Sequence, residues 1–258
     1  MNIKDIVKLL YKGVFPLFRK DIKKITIKNK KRKYVHIDKG TPYTIVFENG
    51  LGTSMAFWDE IFLELSKEHS VFAHNRPFKE DMKLQKKSWD GSSDNVVNNM
   101  KKVLDTCEIK APYILVGHSL GGLYIQLFAQ KYPNLVKAMV LVDATTPDEV
   151  ADIEVIKAPK MLQKYFKSLS KSLTALGEIL LTSPIEKEIP MIILSATHKE
   201  DFQKKPKWQD MIKFIRQKQE EYLTLYPWAK LTWVDSGHVI MYEKPEVVID
   251  AIRELVEE

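Results

Sequence analysis

Apolar runs of strand length recur along the chain at Tyr43–Phe47, Val71–His74, Tyr113–Val116, Met139–Val142, Met191–Leu194 and Leu231–Val234. Most lack strict alternation, as expected of strands covered by helices on both faces. Between them lie segments with the period of an amphipathic helix: Phe57–Lys67, Asn95–Cys107, Leu120–Lys131 and Asp210–Leu225, with Pro245–Val256 closing the series. Pro133 marks a helix stop and Pro245 a helix start. Such alternation predicts an α/β fold: a doubly wound, mostly parallel sheet.

Three stretches depart from the pattern. Residues 1–20 place Ile3, Ile6, Val7, Leu10 and Val14 on one helical face beside Lys4, Lys8 and Lys12, up to Pro16. Packing on the domain's own core is the usual fate of such a helix, and a weak peripheral contact with a membrane surface is the alternative. Ile25–Ile27 and Tyr34–Ile37 flank a basic run, Asn29–Lys33, and predict a hairpin with that run at its tip. Residues 147–189 interrupt the strands with Met161, Leu162, Tyr165, Phe166, Leu169, Leu173 and Leu176 at helical spacing. They predict a small helical cap between two strands, with the core formed by 21–146 and 190–258. A few of the cap's Leu and Met side chains are placed to shape an apolar pocket.

Composition narrows the class without naming an activity. The 258 residues are 45% hydrophobic and 29% charged, proportions of an ordinary globular protein with a core large enough to need no staple. Cys107 is the single cysteine, so no internal disulfide forms, which fits a reducing, cytoplasmic setting. The longest uncharged stretch of the N-terminus, Gly13–Phe18, is shorter than the apolar run of about 7–15 residues that a signal peptide requires. The excess of 40 Lys+Arg over 34 Asp+Glu gives +6. No aromatic platform or nucleic-acid-binding signature accompanies it, so it reads as a soluble surface, with no nucleic-acid partner. Oligomeric state has no signature in the sequence.

The chemistry concentrates in Gly117-His118-Ser119-Leu120-Gly121-Gly122. This is Gly-x-Ser-x-Gly directly after an apolar strand and directly before a helix, the context a nucleophile elbow requires. The glycines leave room around a serine held in a strained turn. The start of the following helix favours an oxyanion nearby. His238 follows the strand Leu231–Val234 in the turn Asp235-Ser236-Gly237-His238, at a strand's carboxyl end where sites form in open α/β sheets. Other histidines have readier explanations: His36 in the hairpin, His69 ending a helix, His74 ending a strand, His118 within the elbow and His198 in a charged, solvated loop. Asp143 ends the run Met139–Val142 and is the preferred acid; Glu200 and Asp201, after Met191–Leu194, are the competing position. No clustered His, Cys or carboxylate spacing predicts a metal, and no cofactor is called for.

With Asn49-Gly50-Leu51-Gly52 and Leu141-Val142-Asp143, these motifs resemble the α/β-hydrolase superfamily over most of the chain. The resemblance implies a serine nucleophile, an acid and a late histidine in that order, which Ser119, Asp143 and His238 follow. It implies an oxyanion hole from the Leu51 and Leu120 amides, with Asn49 where relatives often carry histidine. The segment Ala73-His74-Asn75-Arg76-Pro77-Phe78 lacks the glycines of the Asp-Arg-x-Gly-x-Gly pattern. The implied activity is hydrolysis of an ester of a small, apolar acyl substrate through an acyl-enzyme. The same triad serves thioesterases, lactonases, amidases and C–C hydrolases, and the fold also serves low-turnover ligand-binding proteins.

Overall fold

The computed structural model describes residues 22–27, 30–51, 53–76, 94–148, 174–183, 185, 187–198 and 209–257. The N-terminal helix expected over 1–20, the candidate acids Glu200 and Asp201, and most of the cap lie outside them.

Among the described residues, eight strands form one sheet: β1 (Lys23–Ile27), β2 (Lys30–Ile37), β3 (Thr44–Glu48), β4 (Ser70–His74), β5 (Tyr113–His118), β6 (Val136–Val142), β7 (Met191–Ala196) and β8 (Lys230–Val234). Their order is β1-β2-β4-β3-β5-β6-β7-β8. From β4 across to β8 all neighbours are parallel, while β2 pairs antiparallel with both β1 and β4. The doubly wound α/β fold expected from the alternation is therefore present.

The helices are α1 (Asp59–Leu65), preceded by a 3-10 turn over Met55–Trp58, α2 (Asp94–Thr106), α3 (Leu120–Lys131), a helix over 174–182 taken as α4, α5 (Gln209–Leu225), the short α6 (Ile240–Glu243) and α7 (Pro245–Glu257). Central strands are buried along their length except at the half-buried Lys137 of β6, and their period of two sends successive side chains to opposite layers. Val46, Leu115, Met139, Leu141 and Ile193 pack with α2, α3, α4 and α5. Ile45, Phe47, Ile114, Val116, Val140 and Ile192 pack with α1 and α7. Both layers are apolar, which is why the strands read as continuous hydrophobic runs.

One expectation shifts. The basic run is not a hairpin tip: Lys30, Lys31, Arg32 and Lys33 are the first half of β2, with Lys31 opposite Thr26 and Lys33 opposite Lys24. Strand alternation leaves Lys31 and Lys33 exposed and buries Arg32 opposite Ile25. Within the expected cap, the described α4 buries Leu176 and Leu180 in the core, so these two serve packing.

Candidate active site

β5 runs into α3 through one residue, Ser119, whose backbone sits at φ 52, ψ −124. A non-glycine residue with positive φ is strained and persists only where its surroundings fix it. Here the Ser119 N–H donates to Val142 O (3.1 Å), and Ser119 O accepts from the Gly122 and Thr145 amides (2.9 and 3.2 Å). The end of β6 thus clamps the elbow. Close approach explains the glycines: a β-carbon at Gly117 would lie 2.7 Å from Gly121 O, and one at Gly121 would lie 2.5 Å from Glu48 O.

Asp143, the residue after β6, also has positive φ (40°) and is buried. Its amide donates to Leu194 O (2.7 Å), its Oδ1 accepts from the Ala196 amide (2.9 Å), and its Oδ2 accepts from His238 Nδ1 at 2.6 Å. One carboxylate therefore ties together the ends of β6 and β7 and the turn after β8. Burial pushes this carboxyl up, but the His198 and His238 imidazoles beside it outweigh that cost and hold it well below the usual carboxylate range. The His238 side chain is 46% exposed, against 3% for Asp143. The imidazole is thus anchored at one nitrogen while its ring remains partly open to solvent.

The turn carrying His238 is fastened at several points. The Gly237 amide donates to Glu243 Oε2 (2.8 Å), the Thr197 hydroxyl to Asp235 Oδ1 (3.1 Å), and His118 Nε2–H to His238 O (2.9 Å). Because His118 donates through Nε2, its neutral ring carries no proton on Nδ1, and burial, helped by the charge of His238, lowers its pKa to about 3. The His118 and His238 rings are 4.6 Å apart.

β3 delivers the chain beside the elbow. A β-carbon at Gly50 would sit 3.3 Å from the Ser119 β-carbon, so Gly50 lets Leu51 pass close to the serine. Asn49 spends its side chain on structure: Nδ2 donates to His74 O (2.7 Å) and Oδ1 accepts from Trp58 Nε1 (3.1 Å). Leu120 opens α3, where helical amides lack intrahelical carbonyl partners.

Three features escaped the sequence. His198 is buried, not solvated, with Nε2 3.3 Å from Asp143 Oδ2. Its place just beyond the carboxyl end of β7 was the available signal. His118 secures the backbone of His238, and Glu48 is a buried carboxylate flanked by His74 (3.0 Å) and Arg76. Arg76 and His74 hold Glu48 below its usual range despite full burial. Among the described residues no group of three or more His, Cys, Asp or Glu is arranged to hold a metal ion, and no helix is long and apolar enough to cross a membrane.

Comparison with known proteins bears on the fold. The chain is 26% identical to the uncharacterized protein YqjL of Bacillus subtilis (strain 168) over 224 residues, which span 82% of this chain and 83% of YqjL. Among solved structures it is similar to MGS-MChE2, an alpha/beta hydrolase enzyme from a sediment metagenome of the Mar Chica lagoon, Morocco. That match has TM-score 0.65 and 23% identity, over 92% of this chain and 97% of the other. It is also similar to a thermophilic esterase from Thermogutta terrifontis, with TM-score 0.58 and 16% identity over 92% and 98% of the two chains. The family model for the alpha/beta hydrolase fold matches residues 43–182, more than half of the sequence. With its parallel sheet, its strained serine turn and this match, the chain belongs to the alpha/beta hydrolase fold family.

Proposed function

We propose that the protein is a serine hydrolase that cleaves a carboxylic ester of a small, apolar acyl group through an acyl-enzyme. The observation that carries the reading is the 2.6 Å contact from His238 Nδ1 to Asp143 Oδ2, formed beside the strained turn at Ser119. With Nδ1–H given to Asp143, the lone pair of His238 Nε2 is available to take the Ser119 proton as Oγ attacks the ester carbonyl. The Leu51 and Leu120 amides receive the oxyanion, His238 passes its proton to the leaving alcohol, and water, activated by the same imidazole, releases the acid. Asp143, kept ionised by its two histidine neighbours, stabilises the imidazolium at each stage. The Thermogutta terrifontis protein of the same fold is an esterase, and the leucines of residues 147–189, with Met161, favour an apolar acyl group. The chemistry asks for no cofactor; the proposed substrate is a small molecule and the proposed setting the cytoplasm, in keeping with Cys107 as the single cysteine. Weak membrane contact through residues 1–20 is retained as a secondary expectation.

A fluorophosphonate probe and a series of p-nitrophenyl esters of increasing acyl length test the reading. Wild type should be labelled and should turn over the shorter esters. Ser119→Ala should lose labelling and on the order of 10⁶ in turnover while keeping its melting temperature. Ester hydrolysis retained by Ser119→Ala would overturn the assignment.

A further inference from the structure

We propose that Arg76 is a positioning residue for the oxyanion amides, holding the Leu51 N–H toward the reacting carbonyl and polarising it. The inference rests on the serine-hydrolase reading above.

The guanidinium is 9% exposed and engages three acceptors on the segment that leaves β3. Nη1 donates to Glu48 Oε1 and to Asn49 O (2.7 Å), and Nη2 donates to Gly50 O (2.9 Å). The last contact reaches the chemistry through covalent geometry. Gly50 C=O and Leu51 N–H belong to one trans, planar peptide, so they point in opposite directions. Fixing the carbonyl on the guanidinium fixes the amide hydrogen on the side away from it. The same segment is pressed against the elbow, since a β-carbon at Gly50 would stand 3.3 Å from the Ser119 β-carbon and 2.8 Å from His118 Nδ1. A cation bonded to a peptide oxygen also draws electron density from the nitrogen, which makes the N–H a stronger donor in a dry site.

Arg76 is itself held in place. Glu48, buried and flanked by His74 on its other oxygen, fixes one edge of the fork. The guanidinium carbon lies 4.9 Å from the centre of the Tyr124 ring on α3, the helix whose first amide is the second oxyanion donor. One side chain thus registers the Leu51 loop against the helix that carries Leu120. A lysine supplies the charge at a single point and cannot hold two carbonyls and a carboxylate together.

The test compares wild type, Arg76→Lys and the double variant Arg76→Met with Glu48→Gln, which avoids leaving an unpaired buried carboxylate. The readouts are kcat and KM on p-nitrophenyl acetate, and affinity for a trifluoromethyl ketone, which adds the serine to form a tetrahedral oxyanion. Losing one oxyanion donor costs on the order of 10²–10³ in kcat. A donor left in place but poorly aimed should cost less: about tenfold in Arg76→Lys and about 100-fold in the double variant. KM should stay within threefold of wild type, and ketone affinity should fall by the same factor as kcat. Values of kcat and ketone affinity within threefold of wild type in both variants would overturn the inference. If the double variant does not fold, Arg76→Lys alone decides. If wild type is not labelled by fluorophosphonate, or Ser119→Ala keeps its turnover, it is the serine-hydrolase reading that fails. Normal labelling with unaffected Arg76 variants removes the positioning role alone.

Discussion

Replacing Asp143 with asparagine changes one oxygen to an NH2 group and almost nothing in volume, so its effect isolates the proton on His238. In the native site Oδ1 accepts from the Ala196 amide at 2.9 Å and Oδ2 accepts from His238 Nδ1 at 2.6 Å. The Ala196 N–H can only be met by the remaining oxygen, so the new NH2 must occupy the Oδ2 position and donate to His238 Nδ1. The imidazole then accepts at Nδ1 and carries its proton on Nε2, the nitrogen that in the proposed mechanism receives the Ser119 proton. Triads with the tautomer reversed in this way lose about 10⁴ in kcat, equivalent to about 5.4 kcal/mol of transition-state stabilisation. The assay is kcat for p-nitrophenyl acetate near neutral pH, with the rate of fluorophosphonate labelling as an independent report on the serine. Both should fall together while KM changes little. An Asp143→Asn protein that retains turnover within about tenfold of wild type would refute the reasoning and move the acid to Asp201 or Glu200.

Acid stability should register His118. Its folded pKa, pushed from 6.5 to about 3 chiefly by burial, lies below the unfolded value, so the unfolded chain binds a proton that the native state refuses. The stabilising contribution is complete above pH 6.5 and is lost as pH falls, at up to about 1.4 kcal/mol per pH unit, or about 2 kcal/mol between pH 6.5 and 5. Urea midpoints across that range should decline in wild type and decline less in His118→Gln; equal slopes would remove His118 as the cause. Gly121→Ala places a β-carbon 2.5 Å from Glu48 O and 2.6 Å from Asn49 O, both backbone atoms. It should cost about 1–3 kcal/mol in urea unfolding and lower kcat by displacing the loop that carries Leu51. Gly40→Ala, at φ +69 with open space around it, serves as the contrast: about 1 kcal/mol of backbone strain and unchanged kcat.

The sheet was legible because its central strands are apolar on both sides, and length and punctuation distinguished them from helices. Leu120–Lys131 coincides with α3 because the elbow and the stop before Pro133 bound it on both ends. The hairpin failed in one respect: an outward-facing strand bearing lysines has the same local pattern as a polar turn, and only pairing with β1 separates them. At the site, order along the chain singled out Asp143 and His238, and the fold brings them to 2.6 Å. His198 was misjudged because Lys199, Glu200 and Asp201 set its local polarity, whereas its burial is set by the ends of β7 and β8. Glu48, His74 and Arg76 meet across the parallel β3–β4 pair. That register is a three-dimensional quantity which no spacing along the chain encodes.

The placement of His238 has a thermodynamic consequence. Ser119 and Asp143 directly follow β5 and β6, strands with partners on both sides, whereas His238 follows β8, which among the described strands has β7 as its one neighbour and has two exposed positions among its five. Strands of this kind open locally at a free energy below that of global unfolding. Release of β8 would withdraw the imidazole while leaving the elbow clamped to β6. On the proposed serine-hydrolase reading, activity should therefore be lost reversibly on mild heating or in dilute denaturant before the core unfolds.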